Sequence, residues 1–487
     1  MNFTMPNFSV ALPEIFMLCM AVIALMTDVF LPARARLATY IIVQFTVVVT
    51  FFLAVSQYSE FPEQIITFGG SYIIDKLAIL LKIFICFISF FVFAYSREYI
   101  TERGIAFGEY YILGLLAVLG MLIMSSAYSF LTIYLGLELL SLALYAMVAM
   151  QKDSAEATEA AMKYFVMGAL ASGLLLYGIS MIYGATGSIQ LSQLADIMTN
   201  SIPSQHLVEV FGLVFILVGL LFKFGAVPFH MWVPDVYQGA PTSMTLFIAS
   251  APKIAAFGIT MRILVEAMPS LQVEWQQVLI VVAILSMFFG NVLAIAQTNI
   301  KRMLAYSSIA HIGYMLLGII AGPGSAEGYS AAMFYVITYT MVALGAFGII
   351  SILSRKGVEL DQLEDYRGMN ARNPWLAFMM LLLMFSMAGV PPTVGFFAKL
   401  GLLEALVEAH FVWLACLALL FAIIGAYYYL RIVMLMYFEE PAKDLPEQRI
   451  YVSPNMLAVI TMNCIFVLIF GLFPSNLIDM CRISLAG

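Results

Sequence analysis

Charge is scarce in this 487-residue chain: only 10% of the residues are Asp, Glu, Lys or Arg, whereas 63% are hydrophobic. The mean hydropathy is +0.99. A soluble domain has about 25% charged residues, so this sequence cannot cover a globule in water. It is therefore predicted to be an integral membrane protein, which excludes a cytosolic enzyme and a secreted scaffold.

The motifs of cofactor and nucleic-acid binding are also missing. The net charge is −7, without a run of Lys and Arg that would follow phosphates. There is no glycine-rich nucleotide fingerprint and no His pair at metal-ligand spacing. The cysteines are isolated and form no CxxC, so neither an iron–sulfur cluster nor zinc is expected. The chain is predicted to bind no cofactor, no metal and no nucleic acid. The five cysteines are Cys19, Cys86, Cys416, Cys464 and Cys481.

Long apolar runs dominate what is present. A bilayer core of about 30 Å requires about 20 apolar residues per helix, and fourteen runs meet this requirement. No Lys or Arg precedes the first run, which is interpreted as a retained span rather than a signal peptide. One all-α membrane domain over 1–487 is predicted. The predicted spans are 9–30, 37–56, 75–95, 109–126, 128–150, 159–184, 207–227, 241–266, 274–298, 301–320, 329–354, 374–407, 410–438 and 453–473.

Basic residues collect in every second loop, which predicts that these loops face the cytoplasm and that both termini face outward. The opposite loops contain only Lys76, Arg262 and Arg482, and the connection 228–240 is an exception without positive charge. The basic loop residues are Arg34, Arg36, Arg97, Arg103, Lys152, Lys301, Arg302, Arg355, Lys356, Arg367, Arg372, Lys443 and Arg449.

Two of the predicted helices are interrupted by proline. The seventh contains Pro228 and Pro234, the twelfth contains Pro391 and Pro392, and five helices separate the two breaks. Because five is odd, a second copy of a five-helix unit is inverted in the membrane. Corresponding broken helices in two halves point to a transport site near the midplane.

These breaks divide the chain into repeats. The predicted parts are three N-terminal helices over 1–108, a first repeat over 109–266, an inverted second repeat over 274–438 and a last helix over 453–473.

Ionisable residues remain inside the apolar runs, where a charge costs at least about 2.5–3.5 kcal/mol. Desolvation lowers the pKa of a lysine and a nearby carboxylate raises it again, which suits a proton relay. A movement of Glu138 relative to Lys163 or Lys223 would therefore switch a lysine between holding and releasing its proton. His311 could link the two halves, since histidine titrates near neutrality. The candidates are Glu138, Lys163, Lys223, Lys253 and Lys399, with Lys82 and His311 as weaker ones.

Simpler interpretations stand beside this one. Lys82, seven residues into its helix, is interpreted as snorkelling to the interface, and Lys163 has the same alternative. The deep residues could form purely structural ion pairs, and His311 could bond a backbone carbonyl. The methionines and aromatics are interpreted as packing and lipid-facing residues.

Three residues of the 228–240 connection stay undecided. His230, Trp232 and Asp235 are either interface anchors or parts of a proton inlet.

Four segments together resemble the antiporter-like membrane subunits of respiratory complex I, over nearly the whole chain. YQGAP after VPDV, and LPEIFMLCMAVIALMTD near the start, resemble the N-type subunit of the bacterial proton-translocating NADH–quinone oxidoreductase. The four segments are KFGAVPFHMWVPDVYQGAPT, ASAPKIAAFG, AQTNIKRMLAYSSIAHIGYMLLG and AGVPPTVGFFAKL.

The resemblance implies a water-linked row of proton carriers, matched here by Glu138, Lys223, Lys253 and Lys399. It also implies that NADH, FMN, iron–sulfur clusters and quinone are bound by partner subunits, membrane and peripheral, whose quinone reduction supplies conformational energy. Glu404, five residues after Lys399, is a departure from the pattern, and a Lys399–Glu404 pair would alter the last step.

Two other functions are weighed against this one. A subunit of a multi-subunit cation/proton antiporter would share the same repeats, and a scaffold would hold neighbouring pumps and move nothing. A sodium site requires several converging oxygen ligands, whereas this row has four lysines and one deep glutamate, which favours protons. A scaffold would not need ionisable residues on broken helices.

Overall fold

The computed structural model describes residues 6–32, 37–61, 63–354, 359–440 and 452–485, and within these ranges its regular structure is helical apart from one small hairpin. Six of the basic loop residues used to predict topology lie outside the described residues: Arg34, Arg36, Arg355, Lys356, Lys443 and Arg449.

Thirteen helical segments of the described chain are long and apolar enough to cross a membrane, which confirms the all-α membrane fold. They match thirteen of the fourteen predicted spans. The remaining span, 374–407, is divided into helices of 15 residues each, Pro374–Ala388 and Val394–Glu408. A 15-residue helix is about 22 Å long, so neither half crosses a core of about 30 Å alone.

The N-terminal part contains three spans and a hairpin that the sequence analysis did not predict. In the hairpin, Ile65 pairs with Ile74 in an antiparallel register. Gly69 turns the chain there with a φ of 65°, a conformation that glycine adopts without strain. The elements are α1 (Leu12–Phe30), α2 (Leu37–Glu60), β1 (Ile65–Thr67), β2 (Tyr72–Ile74) and α3 (Lys76–Arg103).

The predicted break in the seventh span is confirmed: its helix ends at Phe224 and the next begins at Trp232. The eighth span is also interrupted, before Pro252, and it ends in a π-helical turn over Met261–Ala267. The helices of this part are α4 (Phe107–Ser126), α5 (Phe130–Val148), α6 (Ala155–Thr186), α7 (Leu191–Thr199), α8 (Pro203–Phe224), α9 (Trp232–Gly239), α10 (Thr242–Ile248) and α11 (Pro252–Thr260).

The predicted break in the twelfth span is confirmed as well, since its first half ends at Ala388 and Gly389 follows with a φ of 87°. The helices of this part are α12 (Gln272–Ile295), α13 (Ile300–Ala321), α14 (Gly328–Leu353), α15 (Met369–Arg372), α16 (Pro374–Ala388), α17 (Val394–Glu408), α18 (Val412–Phe438), α19 (Pro454–Leu472) and α20 (Pro474–Leu485).

Helices α13 and α14 form the centre of the molecule. The whole apolar window of α14 and 94% of that of α13 are buried, against 33% for α2 and α19. A helix that is apolar on all sides is suited to such a position. His311, on α13, is therefore surrounded by protein on every side.

Ion pairs join three basic-loop residues of the described chain to acidic residues at one face. Arg103 pairs with Glu359, Arg302 with Asp235 and Arg367 with Glu439, all at 2.8–2.9 Å. The opposite face carries the hairpin, α7 and α20.

Arg262, assigned to a loop of this opposite face, is instead buried. Its guanidinium pairs with Asp75 at 2.7 Å and Glu266 at 2.5 Å. The loop assignment is therefore wrong, because the π-helical turn carries Arg262 inward.

Lys82 does not snorkel. Its side chain is fully buried, and its Nζ lies 2.6 Å from the carboxylate of Glu14 and 2.9 Å from the hydroxyl of Tyr72. The snorkelling interpretation is wrong, because the hairpin places Tyr72 over this end of α3 and α1 supplies the counter-charge.

The Glu14–Lys82 pair makes a prediction about stability. Glu14→Ala leaves a buried ammonium without its partner, so we expect a loss of about 3–5 kcal/mol and a lower midpoint of heat denaturation for the purified assembly. Adding Lys82→Met removes the unpaired charge and is expected to restore most of that loss. A Glu14→Ala protein as stable as its parent would show that the pair contributes nothing.

Candidate functional site: a row of ionisable side chains

The first group of candidate residues lies between α5, α6 and α8. Ser172 donates a hydrogen bond to the carboxylate of Glu138. Lys223 donates to Ser141 Oγ at 2.5 Å, and Ser141 lies about one turn after Glu138 on α5. No ion pair within 4 Å joins Glu138 and Lys223 in the described chain. Each charged group is therefore held by a serine hydroxyl of its own rather than by a direct salt bridge.

The position of Lys223 follows from the break in its helix. It lies in the last turn of α8, and Gly225 ends the helix with a φ of 73°. The last carbonyl groups of a helix have no intrahelical donors and carry partial negative charge. A cation is stabilised there, which explains how a lysine is tolerated at this depth.

Lys253 belongs to a second group. It is the second residue of α11, directly after the interruption before Pro252, and its side chain is 3% exposed. Its Nζ donates to Ser308 on α13 and lies 3.3 Å from the hydroxyl of Tyr339 on α14. No carboxylate lies within ion-pair distance among the described residues, so the structural ion-pair interpretation is wrong for Lys253.

His311 connects this group to its neighbours. Its Nδ1 is 2.7 Å from the hydroxyl of Tyr335, and its Nε2 is 2.9 Å from the hydroxyl of Tyr429. Its ring also lies 4.6 Å from that of Tyr339. The backbone-carbonyl interpretation is therefore wrong. A hydroxyl both donates and accepts, so either tautomer of the imidazole is satisfied here.

Lys399 completes the second group. Its Nζ donates to the carbonyls of Met387 and Ala388, both at 2.9 Å, which the break after α16 leaves free. A cavity of about 20 Å³ lies between Lys399 and His311, and one water molecule requires about 10–15 Å³. Lys399 and Glu404 form no ion pair within 4 Å in the described chain, so the expected pair is not observed.

Lys163 lies elsewhere, in a polar pocket of about 190 Å³ at the basic-loop face. Its side chain is 40% exposed and pairs with Asp235 at 2.7 Å and Glu159 at 2.8 Å. Burial raises the pKa of Asp235, but hydrogen bonds from Lys163 and Arg302 outweigh it and hold that pKa below its usual value. The carboxylate of Asp235 is therefore ionised at neutral pH.

The neighbours of Asp235 have different roles. Trp232 is 4% exposed, donates to the carbonyl of Phe222 at 3.0 Å and stacks on Tyr164. It is thus a packing residue and not an interface anchor. His230 is half-buried, and burial lowers its pKa, so its imidazole is neutral at pH 7.

The hydroxyl groups that bond the ionisable residues were not predicted from the sequence. Aromatic residues were interpreted as packing residues, which is wrong for the three tyrosines near His311 and Lys253. A signal was present, since Tyr335 and Tyr339 are four residues apart and share one helix face. The connecting residues are Ser141, Ser172, Ser308, Tyr335, Tyr339 and Tyr429.

The arrangement has the elements of a proton path and lacks those of a metal site. Lys253 bonds hydroxyl groups of Ser308 and Tyr339, the ring of Tyr339 contacts that of His311, and His311 lines the cavity beside Lys399. Within the described ranges, no three His, Cys, Asp or Glu side chains are grouped so that they could hold a metal ion.

Comparison with known proteins assigns the chain. Residues 127–425 match the family model described as NADH:quinone oxidoreductase/Mrp antiporter, TM. The NADH-quinone oxidoreductase subunit N of Thioalkalivibrio sulfidiphilus is 52% identical over 480 residues, with 99% of this chain and 98% of that protein covered. That of Coxiella burnetii is 52% identical over 482 residues, with 99% of both covered.

Solved structures agree with the fold. A chain of respiratory complex I from Thermus thermophilus with bound aureothin has a TM-score of 0.80 and 29% identity, covering 97% of this chain and 100% of that one. A chain of the Mrp complex from Dietzia has a TM-score of 0.84 at 21% identity, covering 97% of each, which supports the fold alone. With more than half of its length matched by the family model and full-length relatives half identical to it, this chain belongs to the N subunits of NADH–quinone oxidoreductase, the antiporter-like, proton-translocating membrane subunits of complex I.

Proposed function

We propose that protons cross this subunit along Glu138, Lys223, Lys253, His311 and Lys399. The observation that carries the proposal is the run of contacts from Lys253 through Ser308, Tyr339 and His311 to the water-sized cavity beside Lys399. Each group in it can both accept and release a proton, or pass one through a hydroxyl.

The pocket around Lys163 and Asp235 is proposed as the proton inlet. It lies at the basic-loop face and holds Glu156, Glu159 and Arg302 besides these two residues. Asp235 joins Lys163 on α6 to Arg302 at the start of α13, the helix that carries Ser308 and His311. A proton taken up here would be passed toward Glu138 and Lys223.

Movement of the charged groups is proposed to drive the transfer. Ser172 bonds Glu138 and Ser141 bonds Lys223, and the two charged groups form no direct ion pair within 4 Å in the described chain. A small displacement of α5 against α8 would change their separation, and a closer carboxylate favours the protonated lysine. Alternate approach and separation would make Lys223 take up and release a proton.

Partner subunits are proposed to carry out the electron transfer. In this proposal NADH, FMN, iron–sulfur clusters and quinone are bound by the other membrane and peripheral subunits of complex I, and this chain binds none of them. Energy from quinone reduction would arrive as the displacement of helices. We further propose that the basic loops face the cytoplasm of a bacterial inner membrane and that both termini lie on the periplasmic side.

A cation/proton antiporter is the competing function. The oxygen atoms around Lys253 and Lys399 come from hydroxyls and carbonyls that already bond an ammonium group. A lysine in that position excludes a second cation by charge, which supports protons over sodium. Proton flux that depends on sodium would contradict the proposal.

Asp235→Asn tests the inlet. Removing the charge frees Lys163 and Arg302 from their shared partner, so we expect NADH-driven proton uptake by inverted membrane vesicles to fall several-fold near neutral pH. Because the pKa of Asp235 is lowered, the parent keeps an ionised carboxylate at this position until the pH falls through that pKa. Raising the pH should therefore not restore proton uptake to the Asp235→Asn variant.

Glu159→Gln is the matched control. Glu159 also pairs with Lys163, but its side chain is 67% exposed, and an exposed pair contributes about 0–1 kcal/mol. We expect proton uptake close to that of the parent. Equal uptake by the Asp235→Asn and parent vesicles would exclude this pocket as the inlet.

A further inference from the structure

We propose that an apolar groove between α17 and α18 binds a long-chain fatty acid, whose carboxylate pairs with the ammonium group of Lys399. The groove has a volume of about 320 Å³. The site stands on the geometry of this groove, whereas its consequence, slower proton transfer, rests on the proposed relay. The walls of the groove include Leu400, Leu403, Ala418, Leu419, Ala422 and Ile423.

Lys399 and the break between α16 and α17 form the inner end of the groove. The Nζ of Lys399 lies 5.4 Å from the centre of the Tyr314 ring, and both residues line the groove. A Cβ added at Gly389, another wall residue, would lie 3.4 Å from this Nζ, so glycine leaves room beside the ammonium group. Lys399 also lines the water-sized cavity beside His311. It therefore lies at the boundary between the relay and the groove.

The ammonium group at this end has no counter-charge. Lys399 donates to the carbonyls of Met387 and Ala388, and no carboxylate of the described residues lies within 4 Å of it. Carbonyl groups at a helix end carry only partial negative charge. Because opposite charges attract each other much more strongly in an apolar environment than in water, an anionic head group is the ligand that suits this end of the groove.

The side of the groove away from Lys399 opens to the apolar surface of the membrane-spanning part. Leu400 on α17 and Leu419 on α18 are exposed there, and Ile423 is 66% exposed. A ligand therefore enters from the bilayer, with an apolar tail that remains in contact with lipid.

The size of the groove suits one acyl chain. A liquid water molecule occupies about 30 Å³, and a methylene group is of similar size, so the groove holds roughly ten carbon atoms. Ala418, Ala422 and Ala426 line it at intervals of four residues along α18, which gives a strip of small side chains about 12 Å long. A phospholipid, with two chains and a bulky head group, does not fit. A fatty acid combines one chain with one negative charge.

The fatty acid enters in its neutral form. At the end of the groove its carboxyl proton passes to the unprotonated amine of Lys399, which gives a carboxylate and an ammonium group and brings no net charge into the membrane. A nearby carboxylate favours the protonated form of a lysine. The bound acid therefore holds the proton that Lys399 releases in the proposed relay, and proton transfer is slowed.

The head group decides the selectivity of the site. Lipid tails are as apolar as leucine side chains, so the tail exchanges one apolar environment for another when it enters the groove. A fatty alcohol with the same tail lacks the charge, and a fatty amine is repelled by the ammonium group of Lys399. We expect the acid to bind best, the alcohol less well and the amine least.

Photolabelling of the assembled complex in native membrane vesicles tests the site. The probe is hexadecanoic acid with a diazirine in the middle of its chain, and labelled residues are identified by mass spectrometry. We expect label on Leu403 and Ala422, and competition by hexadecanoic acid at a concentration about tenfold below that of hexadecanol. Phe52, exposed on α2, reports contact with bulk lipid, and its labelling should be the same with either competitor.

Two variants separate the groove from the surrounding lipid. Ala422→Phe fills the groove and Lys399→Met removes the ammonium group, so we expect label on Leu403 to fall several-fold in each assembled complex. Leu420→Phe is the matched control, since Leu420 is exposed on α18 and does not line the groove; it should be labelled like the parent. Equal competition by the acid and the alcohol, or no label in the groove because a helix of a partner subunit closes it, would overturn the site.

Quinone reduction separates the site from the relay. It is measured with an ionophore present, so that a proton leak caused by the acid has no effect, and is normalised to oxidation of NADH by an acceptor that bypasses the quinone. We expect hexadecanoic acid to inhibit Ala422→Phe only at a several-fold higher concentration than the parent, each relative to its own activity without the acid. If the groove is labelled but both are inhibited alike, the site stands and the place of Lys399 in the relay is wrong. If the groove is not labelled, the site is wrong and the relay is unaffected.

Discussion

Replacing Lys223 with alanine is expected to lower NADH-driven proton uptake and quinone reduction to about a tenth of the parent values, while the complex still assembles. Lys223 bonds Ser141 and lies in the last turn of the α8 half of the broken helix, and in the proposed relay it passes protons between Glu138 and the second half. Alanine leaves no titratable atom at this point. The measurement is proton uptake by inverted vesicles, normalised to oxidation of NADH by an acceptor that bypasses the quinone.

Lys152→Ala is the control for the Lys223 experiment, since Lys152 is an exposed residue of a basic loop. It removes the same charge from the chain without touching the row, and we expect uptake equal to that of the parent. A native gel stained for NADH dehydrogenase activity shows whether each variant is assembled. Unchanged proton uptake in an assembled Lys223→Ala complex would contradict the assignment of Lys223 as a proton carrier.

Lys253→Arg is expected to lose most of its proton uptake although it keeps the positive charge. A guanidinium group stays protonated at physiological pH, so it cannot release the proton that the next group must receive. It is also planar, whereas the ammonium of Lys253 bonds Ser308 and Tyr339 from a single point. We expect uptake close to that of Lys253→Met in the same normalised assay.

The Lys253 pair of variants separates charge from proton exchange. Lys152→Arg makes the same substitution at an exposed loop position that lies outside the proposed proton path. We expect its proton uptake to equal that of the parent. Full proton uptake by Lys253→Arg would mean that the position requires only a positive charge, and Lys253 would then have a structural role.

Apolar length predicted most of the fold, because lipid leaves few alternatives to a helix. The breaks at 228 and 391–392 were predictable because each contains proline within a long apolar run. The interruption before Pro252 was not predicted, since the whole run from 241 to 266 was assigned to one continuous span. Proline lacks the backbone donor that continues a helix, so this residue was the available signal.

Burial of single side chains was harder to predict than the spans. Lys82 and Lys163 each lie near a helix end, yet one is fully buried and the other is 40% exposed. The difference comes from the three-residue strands that place Tyr72 beside Lys82, and a short hairpin in a membrane protein has almost no hydropathy signal. Contacts between distant segments decided both cases.

The charged members of the site were visible in the sequence, whereas their connections were not. A lysine or glutamate in an apolar run stands out because it is costly in lipid. Serine and tyrosine carry no such cost and occur in membrane helices for many reasons. Tyr429 reaches His311 from 118 positions away, and only the packing of α18 against α13 brings them together.

Proton uptake by a His311→Phe complex tests the proposed relay most directly, since the relay places His311 between Lys253 and Lys399 and phenylalanine fills its space without hydrogen bonds. Trp375→Phe, on the exposed surface of α16, is the control. We expect NADH-driven uptake into sealed vesicles to fall several-fold for His311→Phe, while oxidation of NADH by an acceptor that bypasses the quinone stays unchanged. Uptake equal to that of the parent, in an assembled complex, would contradict a proton path through this row.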